Sequence, residues 1–100
     1  MTGWSEIKTA DRRLCILRLL DEEKDGGLGE GLLQQALAPL QHRVSREEIR
    51  EDLRWLAEAR LVAVTSYGAE KLGAEILLRG HEAALGLVEI EGVARPSRRA

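Results

Sequence analysis

Apolar residues recur along this chain at two spacings, and the change from one to the other divides it. Ile7, Ala10, Leu14, Leu17 and Leu20 stand at the spacing of one helical face and predict a first helix from about Glu6 to Glu23, starting at Ser5. Ile16 widens that stripe, while Cys15 and Leu19 fall on a second one. A helix apolar on more than one side is either central to the fold or meets another subunit. Asp25-Gly26-Gly27 ends it, because paired glycines adopt positive φ without strain. Leu28, Leu32, Leu33, Ala36, Leu37 and Leu40 then mark the buried face of a second helix from about Glu30 to Leu40. Pro39 withholds an amide near its end, so the regular part closes at or just before it, and Gln41-His42-Arg43 forms the connecting turn.

The third helix has the sharpest start. Ser45 can accept from the amide of Glu48, whose carboxylate can reach back to the Ser45 amide, and Val44 and Ile49 are spaced as a hydrophobic staple. It runs from Arg46 to about Ala59 and buries Ile49, Leu53, Leu56 and Ala57. The period then shortens to two. Leu61–Ser66 and Lys71–Leu78, the latter alternating through Leu72, Ala74, Ile76 and Leu78, read as antiparallel strands around a loop at Tyr67-Gly68-Ala69-Glu70. A short last helix spans Arg79 to Leu85 and stops at Gly86. The expected fold is mainly α with a small β-hairpin (α+β): three helices, a two-stranded antiparallel hairpin and a short C-terminal helix over residues 1–86. Residues 87–100 form an irregular extension with Val88, Ile90 and Val93 as its packing residues and a basic tail.

Composition narrows the class. A chain of 100 residues accommodates one ordinary core, and no apolar run approaches the roughly 20 residues a membrane-spanning helix needs. Residues 1–6 lack the basic segment and apolar run of a secretory signal, and one cysteine cannot close an internal disulfide, so a cytoplasmic location is expected. The net charge of −2 hides an asymmetry, because Arg95, Arg98 and Arg99 leave −5 for residues 1–93. Bulk charge therefore does not attract nucleic acid, and any such contact must come from a local patch or the tail.

Helix, helix, turn, helix and hairpin over residues 6–86 resembles the winged helix-turn-helix superfamily. The narrower resemblance is to the small winged-helix proteins of Mu-like phages and prophages, some labelled ArsR-like regulators. It is carried by Asp11-Arg12-Arg13-Leu14, Ile16-Leu17-Arg18-Leu19-Leu20, His42-Arg43-Val44-Ser45-Arg46, Leu53-Arg54-Trp55-Leu56-Ala57-Glu58, Leu61-Val62, Arg79-Gly80, Ala84, Gly86 and Gly92-Val93-Ala94-Arg95-Pro96. These are mainly core and turn positions. The resemblance implies a third helix in the major groove of double-stranded DNA and a wing on its backbone. Leu77 departs from it, standing where many winged helices place a threonine, which removes a capping hydroxyl.

On that reading Arg46, Arg50 and Arg54, four apart, are the main DNA contacts, with Arg43, Tyr67 and Lys71 supporting and Arg95, Arg98 and Arg99 as a flexible arm. Glu47, Glu51 and Glu58 occupy the outermost line of the same helix and oppose a phosphate-lined groove. The arginines read equally as a solvated face, with Glu47–Arg50 and Glu51–Arg54 as surface pairs, which leaves a protein-interaction or assembly module as the alternative. The second stripe of the first helix, with Trp4 and Trp55, favours a homodimer that presents two third helices to neighbouring half-sites. No metal site is expected, because Cys15, His42 and His81 are scattered without ligand spacing. No enzyme or cofactor is expected either: there is no phosphate loop or placed nucleophile, and the carboxylates read as helix-surface residues.

Overall fold

The computed structural model describes residues 3–69 and 71–96. Helix α1, Trp4–Glu22, starts just before the expected position, with the Gly3 amide donating to Glu6 at 3.1 Å. Leu14, Ile16, Leu17 and Leu20 lie in the core, and Cys15 and Leu19 pack partly buried against it. Both apolar stripes of α1 are thus used within the chain. Ile7, nearer the N-terminus, is largely exposed.

Gly26 turns the chain at φ 73°, and Gly27 donates to the Asp25 side chain at 3.1 Å. There follows a strand, β1 (Gly27–Gly29), that the helical periodicity does not predict, and Leu28 belongs to it rather than to the second helix. Helix α2 spans Glu30–Leu37 and gives way to a 3-10 turn at Ala38–Leu40, as Pro39 requires. Leu33 and Leu37 are buried, but Leu32 (58% exposed) and Leu40 (45%) face outward, correcting their place on the buried face. Leu32 lies a third of a turn from Leu33, and the tighter winding after Leu37 carries Leu40 away from the core.

Helix α3, Arg46–Glu58, opens on the expected capping box: the Glu48 amide donates to Ser45 Oγ, and the Ser45 amide to Glu48 Oε1, each at 3.1 Å. Ile49, Leu53 and Leu56 point into the core, with Val44 packed against it. Strands β2 (Val62–Tyr67) and β3 (Lys71–Ile76) pair antiparallel, with Val62 opposite Ile76 and Tyr67 opposite Lys71. On its other edge β3 pairs with β1, with Gly27 opposite Glu75 and Gly29 opposite Gly73. Among the described residues the sheet therefore has three strands in the order β1-β3-β2, not two.

Helix α4, Leu78–Leu85, has Leu77 at its N-cap without a side-chain bond and ends at Gly86, φ 79°. Gly80 lets α4 approach the sheet, since a Cβ there would stand 2.1 Å from the Leu61 carbonyl oxygen. Residues 87–96 hold no helix or strand yet are packed: Val93 is buried, and Val88, Ile90 and Ala94 lie against the core. The Ala94 amide donates to the Ala10 carbonyl at 3.1 Å. Among the described residues no helix is long and apolar enough to cross a membrane.

Candidate nucleic-acid interface

The arginine stripe of α3 does not point uniformly to solvent. Arg50 turns toward the first residue of α2, Glu30, which is fully buried. Arg50 Nε lies 3.0 and 3.1 Å from the two carboxylate oxygens and Nη2 2.9 Å from Oε2, a forked, charge-assisted pair. Glu30 Oε1 also accepts from the Leu72 amide of β3 at 2.6 Å. The Arg50 hydrogen bonds, then the Leu72 amide, hold the Glu30 carboxyl below its ordinary value against the opposing effect of burial. One carboxylate thus joins α2, α3 and the sheet.

Arg46 leans the same way. Its Nη1 stands 4.0 Å from Glu30 Oε2 and its Nε within 3.5 Å of Gln34 Oε1. Its guanidinium lies over Gly31, where a Cβ would meet Nη2 at 2.9 Å. Gln34 in turn donates to the Val44 carbonyl at 3.0 Å, bracing the entry to α3. Arg46 is 44% exposed and retains an outward edge. Arg43 and Arg54 are exposed, and so are Glu47, Glu51 and Glu58. The outer surface of α3 is accordingly acidic along its crest, with Arg43, Arg46 and Arg54 beside it.

At the hairpin, Lys71 is exposed beside the loop. Tyr67 is only half-outward, because its ring crosses the sheet over Gly29 and Gly73: a Cβ at Gly29 would fall 2.2 Å from its hydroxyl. Arg95 lies 3.8 Å from Glu89, with both side chains well exposed, a pair worth little in water. Arg98 and Arg99 lie outside the described residues.

A second buried carboxylate fixes α3 from behind. Asp52 accepts from Arg12 Nε and lies 3.3 Å from Arg13 Nε, both on α1. Arg13 also stacks 3.9 Å above the Trp55 ring and donates to the Gly92 carbonyl at 3.1 Å. Glu30 and Asp52 thus correct the expectation that the carboxylates sit only on helix surfaces. Their positions carry no pattern that separates them from the surface acids, since each is explained by a partner distant in sequence.

Spatial grouping also corrects the scattered reading of Cys15 and His42. Asp11 and Cys15 lie one turn apart on α1, and His42, buried in the turn before α3, places Nε2 2.7 Å from Asp11 Oδ2. Cys15 Sγ is 3.9 Å from the same oxygen. Burial, then the charge of Asp11, pushes the thiol up from its ordinary value. His81 is separate, 2.7 Å from Asp21.

These features define a small α+β protein whose capped third helix is pinned on two sides by buried ion pairs and leaves one charged face to solvent. Over 97 residues the chain is 38% identical to the uncharacterized protein gp26 of Escherichia phage Mu, a match covering 96% of this chain and 98% of that protein. The chain belongs to the family of that phage protein. No protein-family model and no solved structure matches it.

Proposed function

We propose that this phage-related protein is a winged helix-turn-helix DNA-binding protein acting as a phage or prophage transcriptional regulator, with α3 in the major groove and the β2–β3 hairpin as its wing. The observation that carries the reading is α3 itself, a helix with a fixed entry, anchored from behind by Asp52 and flanked at its exposed face by Arg43, Arg46 and Arg54. A hairpin follows at once, and the third strand closes that hairpin against α2, an order compatible with a wing. Arg50 acts here by holding Glu30, so the base and phosphate contacts fall to Arg43, Arg46 and Arg54, with Lys71 on the backbone and Tyr67 bracing the sheet. Two copies, joined through exposed Trp4, Ile7 and Leu40, would present paired third helices to half-sites.

Anisotropy titration of mixed duplex DNA across a salt series tests the reading. Arg46→Ala/Arg54→Ala should weaken binding and flatten the slope of log affinity against log salt by about 2, one unit for each phosphate left without its arginine. Arg50→Ala is unsuited to this purpose because it unseats Glu30. The exposed crest of Glu47, Glu51 and Glu58 favours a second reading, an assembly module whose α3 faces a basic protein surface. A folded protein that binds no duplex at low salt would support that module and count against the regulator.

A further inference from the structure

Asp11, Cys15 and His42 each offer one donor atom, and these atoms all lie within 4.8 Å of one another. We propose that the three residues form a binding site for a single borderline transition-metal cation of the Zn²⁺ type, clamping α1 to the turn that leads into α3. The site uses none of the arginines assigned to DNA, although its cleft shares Trp4, Ile7 and Leu40 with the proposed contact between two copies.

The geometry is close to what such an ion needs. With bonds of about 2.0 Å to nitrogen and oxygen and about 2.3 Å to sulfur, a tetrahedral site separates N and O donors by about 3.3 Å and either from sulfur by about 3.5 Å. The observed separations are 2.7 Å for His42 Nε2 to Asp11 Oδ2 and 3.9 Å for Asp11 Oδ2 to Cys15 Sγ. These two adjust by roughly half an ångström through rotation of the exposed Asp11, while His42 Nε2 and Cys15 Sγ, no more than 4.8 Å apart, reach about 3.5 Å by rotation of the Cys15 side chain. The donor set selects the class: one thiolate, one imidazole and one carboxylate suit Zn²⁺ or Co²⁺, whereas Mg²⁺ and Ca²⁺ require oxygen shells.

Charge balances as well. The cation takes the thiolate form of Cys15, whose proton passes to solvent, so one divalent ion meets two negative ligands and a neutral imidazole. Three protein ligands leave a coordination position open. An adjoining cleft of about 320 Å³, walled by Trp4, Ile7, Lys8 and Leu40, reaches Asp11 and His42 and has room for water or a small ligand there, with the Lys8 ammonium drawn 5.9 Å over the Trp4 ring. Metal-free, the same atoms form a His–Asp hydrogen bond with a bystander thiol, which is the state the test must distinguish.

The test titrates the folded full chain with Co²⁺, followed by Zn²⁺ as competitor. The expected result is a thiolate-to-cobalt charge-transfer band that saturates at one ion per chain and is bleached by Zn²⁺. Because Cys15 is the only thiol, Cys15→Ser abolishes the band whatever the site, so the other ligands decide. Asp11→Asn and His42→Gln should each weaken Co²⁺ binding about tenfold or more, while His81→Gln leaves it unchanged. If buried His42→Gln fails to fold by circular dichroism, exposed Asp11→Asn decides alone. A wild type without a saturable thiolate band, or a folded Asp11→Asn chain with a smaller loss, overturns the site.

Discussion

Glu30 joins more of the fold than its short reach along the chain suggests. Its carboxylate neutralises Arg50, approaches Arg46 and satisfies the Leu72 amide, while the residue itself is sealed from water. Removing one member of such a buried group leaves the others uncompensated, at a typical cost of about 3–5 kcal/mol. We expect Glu30→Ala to destabilise by about 3 kcal/mol, near the low end because Arg50 can recover some hydration. Glu30→Gln, which keeps an acceptor for Leu72, should cost less in urea unfolding. Because its folded-state pKa is depressed, the stability Glu30 contributes is fully present above its ordinary value of 4.5 and is lost as pH falls through the lower folded value. The gap between wild type and Glu30→Gln should therefore be constant from neutral pH down to about 5 and narrow only below the ordinary glutamate range. A gap that stays constant well below that range would show that folding does not shift the Glu30 pKa, and that the Arg50 pair does not favour the ionised form.

At the scale of elements, one cap is well made and another is missing. Ser45 and Glu48 close the start of α3, whereas α4 begins on Leu77, whose backbone amide is pinned to the Leu61 carbonyl at 3.0 Å and whose side chain offers no acceptor. Leu77 already has the extended backbone of an N-cap and is partly exposed, so Leu77→Thr should raise stability by about 1 kcal/mol, read as a higher urea midpoint at unchanged slope. No change, or a loss, would mean that the leucine packs more usefully than its exposure indicates. Gly80→Ala should do the reverse. Its methyl would enter the Leu61 carbonyl, and backbone cannot swing aside as a side chain can, so a loss of about 2 kcal/mol is expected. Those same elements show what periodicity could and could not reveal. The capping box and the alternation through Leu72, Ala74 and Ile76 are local and were legible, but the fourth residue of that alternation, Leu78, opens α4 and is exposed, and the hydroxyl absent at Leu77 was visible only through the family resemblance. β1 was not legible, because Gly27-Leu28-Gly29 is too short to alternate and is a strand only through β3. The inward turn of Arg50 was hidden for a similar reason: helical spacing places it beside Arg46 and Arg54, and only Glu30, twenty residues away, distinguishes it. His42, Asp11 and Cys15 likewise come together through tertiary packing alone.

For the molecule as a whole, residues 87–96 act as a seam across α1 and α3 although they contain no regular element. Val93 is buried, Ala94 bonds to Ala10, and Gly92 accepts from Arg13 while lying against Trp55, where a Cβ would come within 2.6 Å of the ring. That close approach, at φ 95°, is why this position suits glycine. Deleting everything after Gly86 would uncover Trp55 and the core beneath Val93. Burial of Val93 alone is worth about 1.5 kcal/mol or more, and Val88 and Ile90 add to it, so a total loss of about 3 kcal/mol is expected. For a domain of this size that lowers the melting temperature by on the order of 10 °C or more. A chain ending at Pro96 keeps every one of these contacts and removes only Ser97, Arg98, Arg99 and Ala100, so it should melt with the full-length protein. The pair of truncations separates support of the fold from any contact the terminal arginines make with DNA. If the tail grips phosphates, the chain ending at Pro96 keeps its melting temperature, yet its salt slope in duplex binding falls by about 2. If the chain ending at Gly86 melts at the same temperature as full length, the seam is not part of the core, and the packing of Val93 contributes far less than its burial implies.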